Sequence, residues 1–100
     1  MKQNITVEQL KQCSDFIIKK MGLMLGYEKI NSNAIWQAMA QDITIGKMIE
    51  ILEEREEYPQ IHLSQDIDWA VEIESNIVAF VSKELCDALW EAVKFVLEEK

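Results

Sequence analysis

The side chains able to do chemistry in this chain are one imidazole, two thiols and two groups of carboxylates. His62 lies between Ile61 and Leu63 in an alternating stretch. A general base there needs an orienting carboxylate and a nucleophile within hydrogen-bond reach, and no spacing in the sequence supplies either. His62 therefore reads as a solvent-facing or hydrogen-bonded structural residue. Cys13 and Cys86 each sit inside a helix-like apolar pattern. In a reducing compartment both stay thiols, and free cysteine most often serves as a small buried hydrophobe.

The first carboxylate group is Asp66, Asp68, Glu72 and Glu74. If the alternation runs back to Asp66, all four line one strand face, where alternate carboxylates attract a hard cation. A dedicated calcium loop needs oxygen ligands at fixed spacing and a glycine at its sharp turn, and this stretch has neither. The expectation is a solvated strand face, or a partner-binding face that imitates phosphate charge. The second group is the run Glu50, Glu53, Glu54, Glu56 and Glu57 with Arg55. Carboxylates near a helix C-terminus oppose its dipole, and that local conflict favours a functional surface. None of the three glycines stands in a phosphate-cradling arrangement, which argues against a nucleotide-dependent enzyme. No catalytic, cofactor-binding or metal-binding residues are expected.

The charge balance sharpens this reading. Ten Lys and Arg against eighteen Asp and Glu give a net charge of -8, with the first 41 residues slightly basic and the remainder strongly acidic. Such a field repels a phosphate backbone, so direct nucleic-acid binding is not expected. It attracts a basic protein and speeds the encounter, unless it serves solubility alone. Trp36 is a further candidate contact, since aromatic residues anchor interfaces, whereas Trp69 and Trp90 sit in apolar patterns and read as core.

One hundred residues with 49% hydrophobic content suit a single domain over 1–100, able to bury a core without staples. No apolar run reaches the ~20 residues that cross a bilayer, and Met1-Lys2-Gln3-Asn4-Ile5 lacks a signal-peptide pattern, so the expected compartment is the cytoplasm. Thr6 and Gln9 form a capping box, and Ile5 with Leu10 a hydrophobic staple, opening a first helix over Val7, Leu10, Ser14, Ile17, Met21 and Leu25. Gly22 or Gly26 ends it. Residues 27–41 read as a loop followed by a helical turn. A second helix starts at Asp42 or Thr44, turns Ile45, Met48, Ile49 and Leu52 inward and ends near Glu56. Gly46 inside it suggests a close contact with a neighbouring element.

After Tyr58-Pro59 the period changes to two. Ile61 and Leu63 mark one strand, and Ile67, Trp69, Val71 and Ile73 mark a second. Ser75-Asn76 supplies the turn, and Ile77 to Val81, apolar on both faces, predicts a covered strand. Ser82 caps a last helix whose apolar residues fill about 220° of arc, too wide for one sheet contact. Leu85, Leu89, Ala92 and Val96 should meet the sheet. Trp90, Val93 and Leu97, or Phe95, should meet the first helix or another copy of the chain, with the internal contact preferred. The fold class is α+β: a three-stranded antiparallel meander packed by helices, in the order helix-helix-β-β-β-helix.

Four segments carry a resemblance: Lys20-Met21-Gly22, Asp42-Ile43-Thr44-Ile45, Trp69-Ala70-Val71-Glu72-Ile73, and Leu85-Cys86-Asp87-Ala88-Leu89-Trp90-Glu91-Ala92. In that order they resemble the phage ABA sandwich domain family, small phage and prophage proteins of generally unassigned role. The resemblance implies a phage-related accessory protein in the host cytoplasm and carries over no catalytic residue. Combined with the charge, it gives the leading expectation: a non-enzymatic protein that presents Glu50, Glu53, Glu54, Glu57, Asp66, Asp68, Glu72, Glu74 and Trp36 to a basic protein partner, inhibition being one form this takes. The alternative is a self-associating structural or assembly module, a homodimer included.

Overall fold

The capping box forms: the Gln9 amide donates to Thr6 Oγ1 at 3.1 Å and the Thr6 amide to Gln9 Oε1 at 2.9 Å. It opens α1 (Val7–Lys11), but the helix does not continue. Ser14, expected on the buried stripe, instead accepts from the Ile17 amide and caps a separate α2 (Asp15–Leu25). A serine hydroxyl competes for backbone amides, so it terminates one helix and starts the next. Gly26, with φ +92°, closes α2 in the left-handed conformation. Ser32 then caps α3 (Asn33–Asp42), ten residues long where only a turn was expected. Thr44 caps α4 (Ile45–Glu54), leaving Asp42 as the last residue of α3.

The computed structural model describes residues 1–98, and among them the strands are β1 (Gln60–Leu63), β2 (Trp69–Ile73) and β3 (Asn76–Ser82), followed by α5 (Leu85–Glu98). Both strand pairs are antiparallel and the order is β1-β2-β3, so the fold is α+β with the expected meander. The tight turn is Glu74-Ser75, one residue earlier than expected. Ser82 ends β3 and only accepts from the Glu84 amide; the Glu84 carbonyl takes the first helical bond of α5.

α5 packs against β2 and β3 on one side and against α4 and α2 on the other, while α1 and α3 complete the helical layer. Phe95 belongs to the sheet side, its ring 5.7 Å from that of Phe80. The over-wide apolar arc is therefore consumed within the chain, and Leu89, Trp90, Val93 and Leu97 are buried in the central layer. The N-terminal segment is tied down by two backbone bonds, Ile5 to the Ile43 carbonyl and Ile45 to the Gln3 carbonyl. Lys2 adds a 2.6 Å ion pair with Asp87 at the start of α5.

Three expectations about packing change. Gly46 faces open space, its nearest neighbour for an added Cβ being Thr44 Oγ1 at 4.0 Å; the close approach is at Gly22, against Ile30 and the Tyr27 carbonyl, both 3.2 Å. Ile67 is not on β2 but in the turn before it, with φ +63° and 73% exposure. β3 is an edge strand and not a covered one: Ile77, Val78 and Val81 are 98%, 67% and 59% exposed. Two successive short connections force β2 into the middle, so the strand apolar on both faces is left at the rim. No helix among the described residues is long and apolar enough to cross a membrane.

Candidate functional site

The two acidic groups meet at one end of the molecule and part at the other. α4 closes with a Schellman turn in which the Glu56 amide donates to the Glu53 carbonyl and the Glu57 amide to the Leu52 carbonyl. Glu56 occupies the left-handed position at φ +61°, where glycine is usual. That reversal carries Glu57 to the β2–β3 turn, where its Oε1 accepts from the Ser75 amide at 2.9 Å. The end of α4 and the hairpin turn holding Glu74 are thus joined by a direct bond. Beside them lies an open groove of about 310 Å³ formed by Tyr58, Gln60, Glu72, Ile73, Glu74, Asn76 and Ile77.

Charge at this end is little compensated. Lys47 pairs with Glu50 at 3.2 Å, whereas Glu53, Glu54, Glu56, Glu57 and Glu74 form no ion pair among the described residues. Glu53, Glu54, Glu56 and Glu74 are exposed and Glu57 partly so.

Asp66 and Asp68 lie elsewhere. The Ile67 amide donates to the Ser64 carbonyl at 3.0 Å and the Ser64 amide to the Asp68 carbonyl at 2.8 Å, closing a three-residue hairpin loop with Ile67 left-handed. This loop breaks the alternation, so of the four carboxylates only Glu72 stands on a strand. The β1–β2 loop and the β2–β3 turn lie at opposite ends of β2, about 20 Å apart at the usual strand rise. The expected single acidic face is therefore two separate patches. Trp36 lies outside both. It sits on α3, under Lys11 at 5.6 Å and beside a cleft shared with Ile18, Leu23, Tyr27 and Ile30.

Glu72 has a partner that the sequence did not reveal. His62 pairs with Ala70, so Glu72 is its diagonal neighbour on the outer sheet face, and its Oε2 lies 2.8 Å from His62 Nε2. An orienting carboxylate is thus present, yet no hydroxyl or thiol is hydrogen-bonded to the ring among the described residues. Only strand register reveals such a pair.

The thiols are poor nucleophiles. Burial pushes the Cys86 thiol up to about 11 against the opposing pull of Lys2, and burial likewise raises Cys13. Tyr27 donates its hydroxyl to Asp42 Oδ2 at 2.6 Å, a bond to a carboxylate that raises its pKa above the ordinary phenol value and makes it a weaker acid. Among the described residues no group of three or more His, Cys, Asp or Glu is placed to hold a metal ion. No family model matches the chain, and neither a curated protein nor a solved structure matches it.

Proposed function

We propose that the chain is a non-enzymatic accessory protein that binds a basic protein partner through the joined end of α4 and the β2–β3 turn. The observation that carries this reading is the convergence of Glu53, Glu54, Glu56, Glu57 and Glu74 on one end, with none of them ion-paired among the described residues. Five carboxylates around the single cation Arg55 leave a net negative end that raises the local potential and draws in a cationic surface. Exposed Tyr58 supplies a ring face for a Lys or Arg side chain in the adjoining groove. Asp66 and Asp68 form a weaker second patch, and Trp36 belongs to neither. The four packing segments that resemble the phage ABA sandwich family support a phage-related origin. Two free thiols support a reducing compartment, the host cytoplasm.

The test is a titration of a fluorescent oligolysine peptide at low and moderate salt. Glu53→Gln, Glu54→Gln and Glu57→Gln together should weaken binding about tenfold, at up to about 1 kcal/mol per exposed charge. Glu8→Gln, Asp66→Asn and Asp68→Asn together change net charge equally and should cost far less. Equal losses in the two triple variants would mean that only overall charge matters, and the localised site would have to be abandoned.

A further inference from the structure

The first four residues are held differently from those that follow. None of Met1, Lys2, Gln3 and Asn4 has a buried side chain, whereas Ile5 is fully buried. Hydrogen bonds and one ion pair therefore do the holding. The Gln3 carbonyl accepts from the Ile45 amide at 2.9 Å, at the start of α4. The Lys2 amide donates to Glu84 Oε1 at 3.1 Å, and its ammonium donates to Gln9 Oε1 at 2.7 Å and to Asp87 Oδ1 at 2.6 Å. Gln9 completes the junction by donating to the same Asp87 oxygen at 2.9 Å, while its Oε1 also serves the capping box of α1.

By reaching both Glu84 and Asp87, Lys2 lies across the first turn of α5, the turn that carries Cys86. The Cys86 side chain is fully buried, and the Lys2 charge acts on its thiol. Cys86 stands one helical turn before Trp90 on the same face of α5, so it occupies the end of a buried stripe, where a neighbouring segment has to close it off. The segment that does so is the one with the least apolar burial to hold it in place.

We propose that residues 1–4 are a charge-latched strap that opens about Ile5 while the core stays folded, and that this opening uncovers Cys86. Segments with few buried apolar contacts open at far lower cost than the whole domain unfolds. Releasing this one breaks the junction of Lys2, Gln9 and Asp87 and forfeits little apolar burial. Ile5 and Leu10, both fully buried, stop the opening from spreading into α1. Lys2 and Asp87 are both partly exposed, so salt weakens their attraction and the strap makes access to an inner thiol depend on ionic conditions. The device lies on the N-terminal segment and does not draw on the acidic-end reading.

The test is thiol labelling of the full chain, with Cys13 and Cys86 followed separately by mass spectrometry, together with hydrogen exchange at the Ile45 amide. Cys86 should label slowly, faster at high salt, and at a rate that low urea concentrations leave unchanged, because the opening exposes little surface. Lys2→Met should speed Cys86 labelling about tenfold, the effect of losing charge-assisted bonds at a partly exposed junction, and leave Cys13 labelling unchanged. Asp87→Asn should act in the same direction, and Lys2→Met/Asp87→Asn should be no faster than the faster single variant, since both changes remove one junction. Exchange at Ile45 should rise by the same factor as labelling, because the Gln3 carbonyl leaves with the strap. Unchanged circular dichroism spectra show that the variants fold. Cys86 labelling that carries the full urea slope of global unfolding, that is indifferent to Lys2→Met, or that accelerates without Ile45 exchange would overturn the proposal.

Discussion

Replacing Glu56 by glycine should stabilise the protein, although the residue lies at the centre of the acidic run. Glu56 holds φ +61° and is exposed, so its side chain brings little burial to offset the backbone conformation. An L-residue in the left-handed region costs about 1–2 kcal/mol, and glycine removes that term. Glycine also frees the unfolded chain, which takes back about 0.5–1 kcal/mol. Removing a carboxylate from a helix C-terminus adds about 0.3 kcal/mol. The net gain is about 0.5–1 kcal/mol, or several degrees in Tm for a domain of this size. Glu56→Ala removes the same charge but keeps a Cβ, so it isolates the electrostatic part and should gain only a few tenths of a kcal/mol. Thermal and urea unfolding followed by circular dichroism measure both variants. If alanine stabilises as much as glycine, charge and not conformation governs the turn. If glycine destabilises, the left-handed geometry assigned to Glu56 is wrong, and so is the route by which Glu57 reaches the Ser75 amide.

Gly46→Ala should add up to about 1 kcal/mol, because an added Cβ meets only Thr44 Oγ1 at 4.0 Å and α4 gains propensity; urea unfolding reads it directly. Leu89→Ala should cost about 3–5 kcal/mol, since this fully buried side chain lies on the helix between the sheet and the other helices; a smaller loss would mean that the central layer collapses around the gap. Cys86 makes stability fall with alkaline pH: its thiol moves from 9.0 to about 11, so the unfolded chain loses its proton first. The contribution is complete below pH 9, drains as pH rises toward 11 and amounts to about 3 kcal/mol at most; Cys86→Ala should flatten that limb of a pH-stability curve. In native conditions a thiol reagent should modify the partly exposed Cys13 and spare Cys86, and equal labelling would contradict the packing of α5.

Capping chemistry and period could be read directly from the residues. Thr6 with Gln9, Thr44, and the two-residue alternation at Ile61 and Leu63 and again from Trp69 to Ile73 specify local geometry, and each appears where its type requires. Ser14 and Ser32 carry the same signal: each is an N-cap whose hydroxyl accepts from the amide three residues on. The exposed position of β3 was also implicit, since three strands joined by short connections leave the last at an edge whatever its side chains prefer.

The amino-acid order by itself determined the α+β class, the meander, the negative balance and the over-wide apolar arc of the last helix. It could not decide what fills that arc, which is α2 and α4 on one side and the sheet on the other. Nor could it decide which carboxylates become neighbours. A left-handed Ile67 breaks the alternation between Asp66 and Glu72, while a left-handed Glu56 and one bond to Ser75 bring Glu57 to Glu74. Periodicity encodes the faces of single elements. The meeting of charges from different elements is fixed only when turns and strand register set the distances between them.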